Sequence, residues 1–154
     1  MKNMKPLLFL LLPAFISCKK QTDQPVTVQP DHVVSGTIYG QAFSTVSSKA
    51  DKKTIDFNES GYEIRFSSAA NQGCGSPDDN FDVMLRVPNK VGKFKDQYYV
   101  DISNPSNSDG MMDVMGATLE IKSITATTIT GTIDVTFSKI NSHVDGAFTV
   151  KICN

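Results

Sequence analysis

A strict alternation of apolar and polar residues near the end of the chain constrains the fold more than any other feature. From Thr128 to Ser138 every second residue is apolar or glycine, and threonine, aspartate or serine lies between. The same period of two returns from Val144 to Ile152. Because successive side chains of a β-strand point to opposite faces, this period predicts two strands with one buried face each. Burial on one face is typical of antiparallel sheets.

Shorter alternating runs earlier in the chain predict further strands. They lie at Tyr62–Ser67, Asp82–Val87, Phe94–Ile102 and Leu119–Lys122. No run has the spacing of a helix of three turns or more. We therefore predict one all-β domain over residues 31–154, with about eight or nine strands, built as an antiparallel β-sandwich or a partly closed β-barrel of mainly meander topology.

Residues that favour turns separate these runs. Glycine, proline, asparagine, aspartate and serine supply the backbone conformations that tight turns require. Short links are predicted at 58–61, 88–92, 125–127 and 139–143. Two stretches are longer and are predicted to be loops: Ser68–Asn80 and Ser103–Met111.

The first 17 residues have the parts of a secretory signal. Lys2 and Lys5 form a positive start, an apolar run follows from Leu7 to Ile16, and the small residue Ser17 ends the segment. A membrane-spanning helix needs about 20 apolar residues, roughly twice this run. Pro13 would also interrupt such a helix. We therefore predict a signal peptide over residues 1–17.

The residue after this segment is a cysteine. The sequence Phe15-Ile16-Ser17-Cys18 resembles the lipobox of bacterial lipoproteins, in which a small residue precedes an invariant cysteine. The resemblance implies that Cys18 is lipidated and becomes the first residue of the mature chain. Phe15 stands where leucine is usual, a variant familiar in Bacteroidota-type lipoproteins. The lipobox resemblance further implies that the protein is held by lipid at the outer membrane of the cell envelope.

Residues 18–30 are predicted to form a lipidated cysteine and a flexible tether. The stretch after Cys18 has no helical periodicity and contains Pro25 and Pro30. In Bacteroidota-type lipoproteins, acidic residues after the cysteine direct export to the cell surface. Lys19 and Lys20 do not match that pattern, so a periplasmic and a surface-exposed head both stay open.

Cys74 and Cys153 are the two remaining cysteines of the chain. In an exported protein, an even pair of cysteines indicates a disulfide bond. The alternative is a metal site, which would need four ligands and would have to recruit His32 and His143. We favour the disulfide.

The charge balance argues against nucleic acid as a partner. The chain has 15 basic and 16 acidic residues, and two of the basic ones, Lys2 and Lys5, lie in the predicted signal. The remainder is therefore acidic, whereas nucleic-acid-binding domains usually carry a basic excess.

Few residues suggest catalysis. His143 is predicted to lie in a turn near Asp145, and His32 lies beside the tether. The nucleophile motif G-x-S-x-G does not occur. We interpret both histidines as solvated polar residues and predict no enzymatic activity, no catalytic residue and no cofactor.

Acidic residues gather in and beside the two predicted long loops: Asp78, Asp79, Asp82, Asp109 and Asp113. An EF-hand reading of the second loop fails, because Pro105 and Gly116 would occupy the first and last ligand positions. We interpret these acidic residues as solvated and assign no metal site. A calcium site of another kind within 74–82 stays open as the alternative.

The domain as a whole resembles the small β-rich lipoproteins of Bacteroidota-type genomes. The resemblance is carried by the first strand pattern, Ser35–Gly40, and the closing pattern, Gly146–Val150, and it implies no known activity. Without tryptophan, and with Tyr99 as the one outward ring of its strand, the chain has no aromatic platform for sugars. We expect a lipid-anchored, non-enzymatic binding or adaptor module that contacts a protein or small molecule through its loops. The alternatives are a calycin-like ligand carrier and, third, a hydrolase.

Overall fold

The described part of the chain is an all-β fold, in which turns and loops join the strands. The computed structural model describes residues 33–55, 58–76, 80–95, 98, 100–114 and 117–153. A 3₁₀ turn spans Ser138–Ile140, and within these ranges no helix is long and apolar enough to cross a membrane. The strands are β1 (Ser35–Ile38), β2 (Gln41–Ser44), β3 (Ser47–Thr54), β4 (Ser60–Ser67), β5 (Val83–Pro88), β6 (Gly92–Lys95), β7 (Val100–Asn104), β8 (Asn107–Val114), β9 (Thr118–Ile124), β10 (Thr128–Phe137) and β11 (Ser142–Cys153).

These strands form one mixed sheet that curls into a half-barrel of mostly meander topology. The order across the sheet is β6-β9-β10-β11-β3-β4-β5-β7-β8, and a hairpin of β1 and β2 branches from β11. The prediction of an all-β, partly closed barrel is therefore confirmed. Its two strongest sequence signals, Thr128–Ser138 and Val144–Ile152, correspond to β10 and β11.

The last strand, β11, joins the two halves of this sheet. One of its edges pairs with β10 along the whole length of that strand. The other edge is shared, because β1 pairs with the beginning of β11 and β3 pairs with its end. The β3 pairing consists of Ile152 with Ala50 and Cys153 with Asp51, and it is parallel. The sequence predicted antiparallel pairing, so this short parallel contact was not predicted. We call the contact the seam.

The core fills the concave side of the half-barrel. A row of buried residues crosses β3, β4, β5 and β7 in register, namely Ala50, Ile64, Leu85 and Val100. Phe66 on β4 meets Phe148 on β11 edge to face, with ring centroids 5.5 Å apart. Such aromatic contacts add to the free energy from apolar burial, so the core holds both halves of the sheet together from inside.

Two sequence predictions in the middle of the chain are wrong. The alternating run Phe94–Ile102 is not one strand, because β6 pairs with β9 whereas β7 pairs with β5. Ser103–Met111 is not a loop, since β8 begins at Asn107 directly after a two-residue turn. Within the described residues β8 lies at the edge of the sheet and pairs with β7, so this strand forms despite a composition with low strand propensity. Across the described ranges the chain forms eleven strands.

Candidate functional site

The convex face of β3, β4, β5 and β7 buries polar side chains where water usually reaches a sheet. Lys49, Ser67 and Asp101 lie there and are 7%, 4% and 1% exposed. An antiparallel sheet with one core face commonly leaves its other face solvated. Burial of charged groups is costly unless each is paired, so this face needs a specific explanation.

Strand register brings six charged residues together on this face. Asp51 is opposite Glu63, which is opposite Arg86. In the next row of residues across the same strands, Lys49 is opposite Arg65, and Met84 lies between Arg65 and Asp101. These positions alternate with the buried core row, so they share the convex side. We call this set the charged face: Lys49, Asp51, Glu63, Arg65, Arg86 and Asp101.

The best-buried member of the charged face is Asp101, whose partner is Arg86. Arg86 Nη2 lies 3.0 Å from Asp101 Oδ2. The Asp101 side chain is 1% exposed, whereas that of Arg86 is 29% exposed. The Arg86 guanidinium therefore lies between a buried carboxylate and the solvent, and its ion pair with Asp101 fixes its position.

A second guanidinium, that of Arg65, is enclosed on several sides. It forms a very short ion pair with Glu63 on its own strand, and its Nη1 lies 3.9 Å from Asp51 Oδ2 on β3. The ring of Phe81 covers it, with the guanidinium carbon 5.9 Å from the ring centroid. A cation over an aromatic face is held by the ring quadrupole, so Arg65 is also preorganised.

The charged face is electrically balanced, with three cationic and three anionic side chains. Guanidinium groups held in a fixed geometry recognise planar anionic or polar groups with little loss of side-chain entropy. The arrangement is suited to binding.

A long loop borders the charged face. We call residues 68–82 the disulfide loop, of which 77–79 lie outside the described residues. Asp82 Oδ2 accepts hydrogen bonds from the backbone N–H (2.5 Å) and hydroxyl (2.8 Å) of Ser68, which closes the base of the loop. Ser47 Oγ, on β3, donates to the carbonyl of Ala69 (2.7 Å) and accepts from the N–H of Gln72 (3.2 Å).

The predicted disulfide between Cys74 and Cys153 is confirmed. The S–S distance is 2.04 Å, and the two Cα atoms are 5.3 Å apart. The bond links the disulfide loop to the last residue of β11, which is the residue paired with Asp51 in the seam. The loop is therefore fixed to both strands of the seam, to β3 by Ser47 and to β11 by the disulfide.

His143 lies in β11 rather than in the predicted turn. Its Nδ1 is 2.8 Å from Thr136 Oγ1, and its Nε2 is 3.6 Å from Asp145 Oδ1, too far for a hydrogen bond. The His143 and Asp145 side chains are 51% and 38% exposed. A catalytic base is normally enclosed in a pocket that excludes water, so this open arrangement suits a solvated cluster.

The acidic residues considered from the sequence are described to different extents. Asp82 is engaged by Ser68. Asp109 and Asp113 belong to β8 instead of a loop, and Asp78 and Asp79 lie outside the described residues. Across the described ranges, no three histidine, cysteine, aspartate or glutamate side chains are grouped closely enough to hold a metal ion.

An apolar pocket lies between the two ends of the curled sheet. Its volume is about 10 Å³, and it is lined by Leu85, Phe94, Tyr98, Val100, Ala117, Leu119 and Ile133. The Tyr98 ring packs edge to face on Phe94 at 5.4 Å, and its hydroxyl donates to Glu59 Oε2 at 3.1 Å. Burial first, and then Glu59 through this hydrogen bond and its charge, raise the pKa of Tyr98 above 10.0.

Several sequence predictions fall outside the described residues, namely those for Cys18, His32, Tyr99 and the segments 1–17 and 18–30. Conversely, sequence reasoning missed the charged face. Its signal was present in the outward positions of two predicted strands, where Glu63, Arg65 and Arg86 alternate with apolar residues, but their pairing with Lys49, Asp51 and Asp101 depends on strand order. No protein-family model, curated protein or solved structure significantly matches this chain.

Proposed function

We propose that this chain is a lipid-anchored protein of the cell envelope whose β-domain is a non-enzymatic binding or adaptor module. Residues 1–17 are removed as a signal peptide, Cys18 carries the lipid, and the tether to residue 30 connects it to the head. The head binds its partner, a protein or a small molecule, through the charged face and the disulfide loop. The membrane contact is made by the lipid, at the outer membrane.

The anchoring part of the proposal is supported by the sequence at the start of the chain. A positive start, ten mostly apolar residues, a small residue and a cysteine occur in the register of a lipoprotein signal. Each buried acyl CH₂ contributes about 0.8 kcal/mol, so a single chain anchors marginally whereas two or three anchor durably. A multiply acylated Cys18 would keep the head at the membrane.

The binding part rests on one observation, the preorganised guanidinium groups of the charged face. Arg86 is fixed by the buried Asp101 carboxylate and still presents 29% of its side chain to solvent. The disulfide loop contacts the charged face at Arg65, through Phe81, and loops on a rigid scaffold commonly carry binding. Charged groups held in this way contribute more to specificity than to the stability of the fold.

The interior pocket favours binding at the outer surface over the calycin-like alternative. A ligand carrier encloses its ligand in a cavity of roughly 300–1,000 Å³. The described pocket has a volume of about 10 Å³, which is the space of about one water molecule. Nothing in its lining favours the carrier function, so we place the binding of the partner at the outer surface.

The anchor is tested on the protein isolated from its own membranes. Intact-mass and peptide mass spectrometry should find residue 18 as the N-terminus and an acyl mass on Cys18. A Cys18→Ser variant should be released from the membrane fraction. A native chain that retains residues 1–17, or carries a bare Cys18 thiol, would contradict the anchor.

The contact surface is tested by site-specific photo-crosslinking in intact membranes. A photo-crosslinking amino acid would replace Asn80, which is exposed in the disulfide loop, or Thr149, which is exposed on β11 as the matched control. Crosslinks to a defined partner from position 80 but not from position 149 would support the proposed surface. Equal crosslinking at both positions, or none at position 80, would overturn it.

A further inference from the structure

We propose that the Cys74–Cys153 disulfide is a redox-sensitive latch. Its reduction would release residues 69–76 and the end of β11 from the seam, next to Asp51 of the charged face, while the remaining half-barrel stays folded. The consequence for binding rests on the proposed function, whereas the latch itself is a property of the fold.

The seam is a weak point of the sheet. β11 and β3 are joined through two residue pairs, and Cys153 belongs to one of them. By contrast, β10 pairs with β11 from Thr128 to Phe137, and β3 pairs with β4 over the whole of both strands. Few backbone hydrogen bonds therefore hold the two halves of the sheet together at this edge. Breaking the disulfide would remove a covalent connection at this short β11–β3 pairing.

The disulfide adds a second connection across the seam. The path runs from Cys153 on β11 to Cys74, along the disulfide loop, and to β3 through the hydrogen bonds of Ser47 with Ala69 and Gln72. Each of those two hydrogen bonds lies at an exposed or partly exposed site. Such bonds contribute modestly to stability, so the loop depends on the disulfide for its position.

The same loop covers part of the charged face. Phe81, near the end of the loop, lies over the guanidinium of Arg65. Asp51 is both the register partner of Cys153 and an ion-pair partner of Arg65. Phe81 itself stays in place, because the N–H of the adjacent Asp82 donates to the carbonyl of Phe66 and the Asp82 carboxylate accepts from Ser68. A frayed β11 end would, however, free the backbone beside Asp51, which couples reduction to the Asp51 side of the charged face.

The disulfide is open to attack from solvent, because Cys74 is exposed and Cys153 is half-buried. A thiolate of a dithiol reductant attacks Sγ of Cys74, the S–S bond breaks, and Cys153 leaves as a thiolate that takes up a proton. The second thiol of the reductant then attacks the mixed disulfide and releases Cys74. Two electrons pass to the protein, and the dithiol is oxidised to a disulfide.

Reduction should leave most of the fold in place. β11 stays paired with β10, and Val150 and Ile152 remain buried at 1% and 2% exposure. The core contact between Phe66 and Phe148 does not involve the disulfide loop. Proteins open locally in units whose free energies lie below that of global unfolding, and the loop together with the seam forms such a unit.

Hydrogen exchange followed by mass spectrometry tests the latch on the full chain in detergent, with dithiothreitol as the reductant. On reduction we expect amide exchange in residues 47–51, 68–76 and 151–153 to accelerate by about tenfold or more beyond any acceleration in β9 and β10. A Cys74→Ser/Cys153→Ser double variant should show the accelerated pattern with or without reductant. It retains Cys18, so any effect of reductant on that residue is controlled.

Two results would overturn the latch. Exchange that is identical in the oxidised and reduced chains would mean that the disulfide does not hold the seam. Exchange that accelerates equally in β9 and β10 would mean that the bond acts on global stability alone. Because exchange needs no partner, a positive result combined with failed crosslinking at Asn80 would retain the latch and reject the proposed contact surface.

Discussion

The ring of Phe148 on β11 lies directly over Gly131, its register partner on β10. A Cβ atom at position 131 would stand 2.6 Å from the Cζ of Phe148 and 2.3 Å from the carbonyl oxygen of Glu120. The glycine occurs where the register of β10 against β9 shifts, and an aromatic ring over a strand glycine replaces the packing that the missing side chain would give.

We expect Gly131→Ala to destabilise the domain by about 1–3 kcal/mol, because the added methyl group overpacks against backbone and an aromatic ring. The measurement is the midpoint of denaturant unfolding. The matched control is Gly73→Ala, since a Cβ there meets nothing within 4 Å, and its effect should stay within about 0.5 kcal/mol. Equal midpoints for the two variants would contradict this account of the β10–β11 contact.

A second prediction concerns the buried ion pair of the charged face. Arg86→Ala would leave the Asp101 carboxylate buried without its guanidinium, at a cost of about 3 kcal/mol in the free energy of unfolding. Replacing both residues, as Arg86→Met with Asp101→Leu, should recover most of that loss, because an apolar pair needs no charge compensation. Chemical denaturation of the two variants and the native chain measures both effects.

The control for the ion pair is Lys93→Ala on β6. Lys93 Nζ lies 3.8 Å from Glu120 Oε1, and the Lys93 side chain is 77% exposed. Exposed pairs of this kind contribute at most about 1 kcal/mol. If Arg86→Ala were as mild as Lys93→Ala, the charged face would be a solvated surface and would lose its role in positioning Arg86.

Local patterns in the sequence predicted local structure well. The alternation of Thr128–Ser138 predicted β10 because side-chain direction in a strand depends on neighbouring residues alone. The same reasoning failed at β8, where the composition around Asn107 resembles a loop and the strand forms through pairing with β7. The disulfide was predictable because an exported chain has few uses for an isolated pair of cysteines.

The candidate site could not be predicted from the sequence, because it depends on the order of the strands in the sheet. Lys49, Glu63, Arg86 and Asp101 come from four strands separated by loops, and a single sequence does not specify which strands are neighbours. The seam is a further example. Cys153 meets Asp51 in a parallel pair, although the alternation in β11 is that of an antiparallel strand with one buried face.

A third prediction follows from the Tyr98 side chain beside the apolar pocket. Burial and the Glu59 carboxylate disfavour the phenolate, which raises the pKa of Tyr98 above its ordinary value of 10.0. A pKa raised by folding stabilises the folded state while the hydroxyl is protonated. This contribution is therefore fully present below pH 10 and is lost as the pH rises through the folded pKa.

Ultraviolet titration of tyrosine ionisation measures the Tyr98 pKa. The native curve minus that of Tyr98→Phe should contain one ionisation above pH 10, and Glu59→Gln should move that ionisation towards 10, because the carboxylate then no longer accepts from the hydroxyl or repels the phenolate. An ionisation of Tyr98 at or below pH 10 would contradict the burial of this side chain.

The last prediction concerns the contribution of the disulfide to global stability. The Cys74–Cys153 bond closes a loop with a sequence separation of 79 residues, and restriction of the unfolded chain by a loop of that length is estimated at about 4.5 kcal/mol before any strain is subtracted. Reduction should therefore lower the melting temperature by several degrees, as measured by calorimetry with and without reductant. The Cys74→Ser/Cys153→Ser variant should melt at the temperature of the reduced chain and should not respond to reductant. If the native chain melted identically under both conditions, no part of the global stability of the fold could be assigned to this bond.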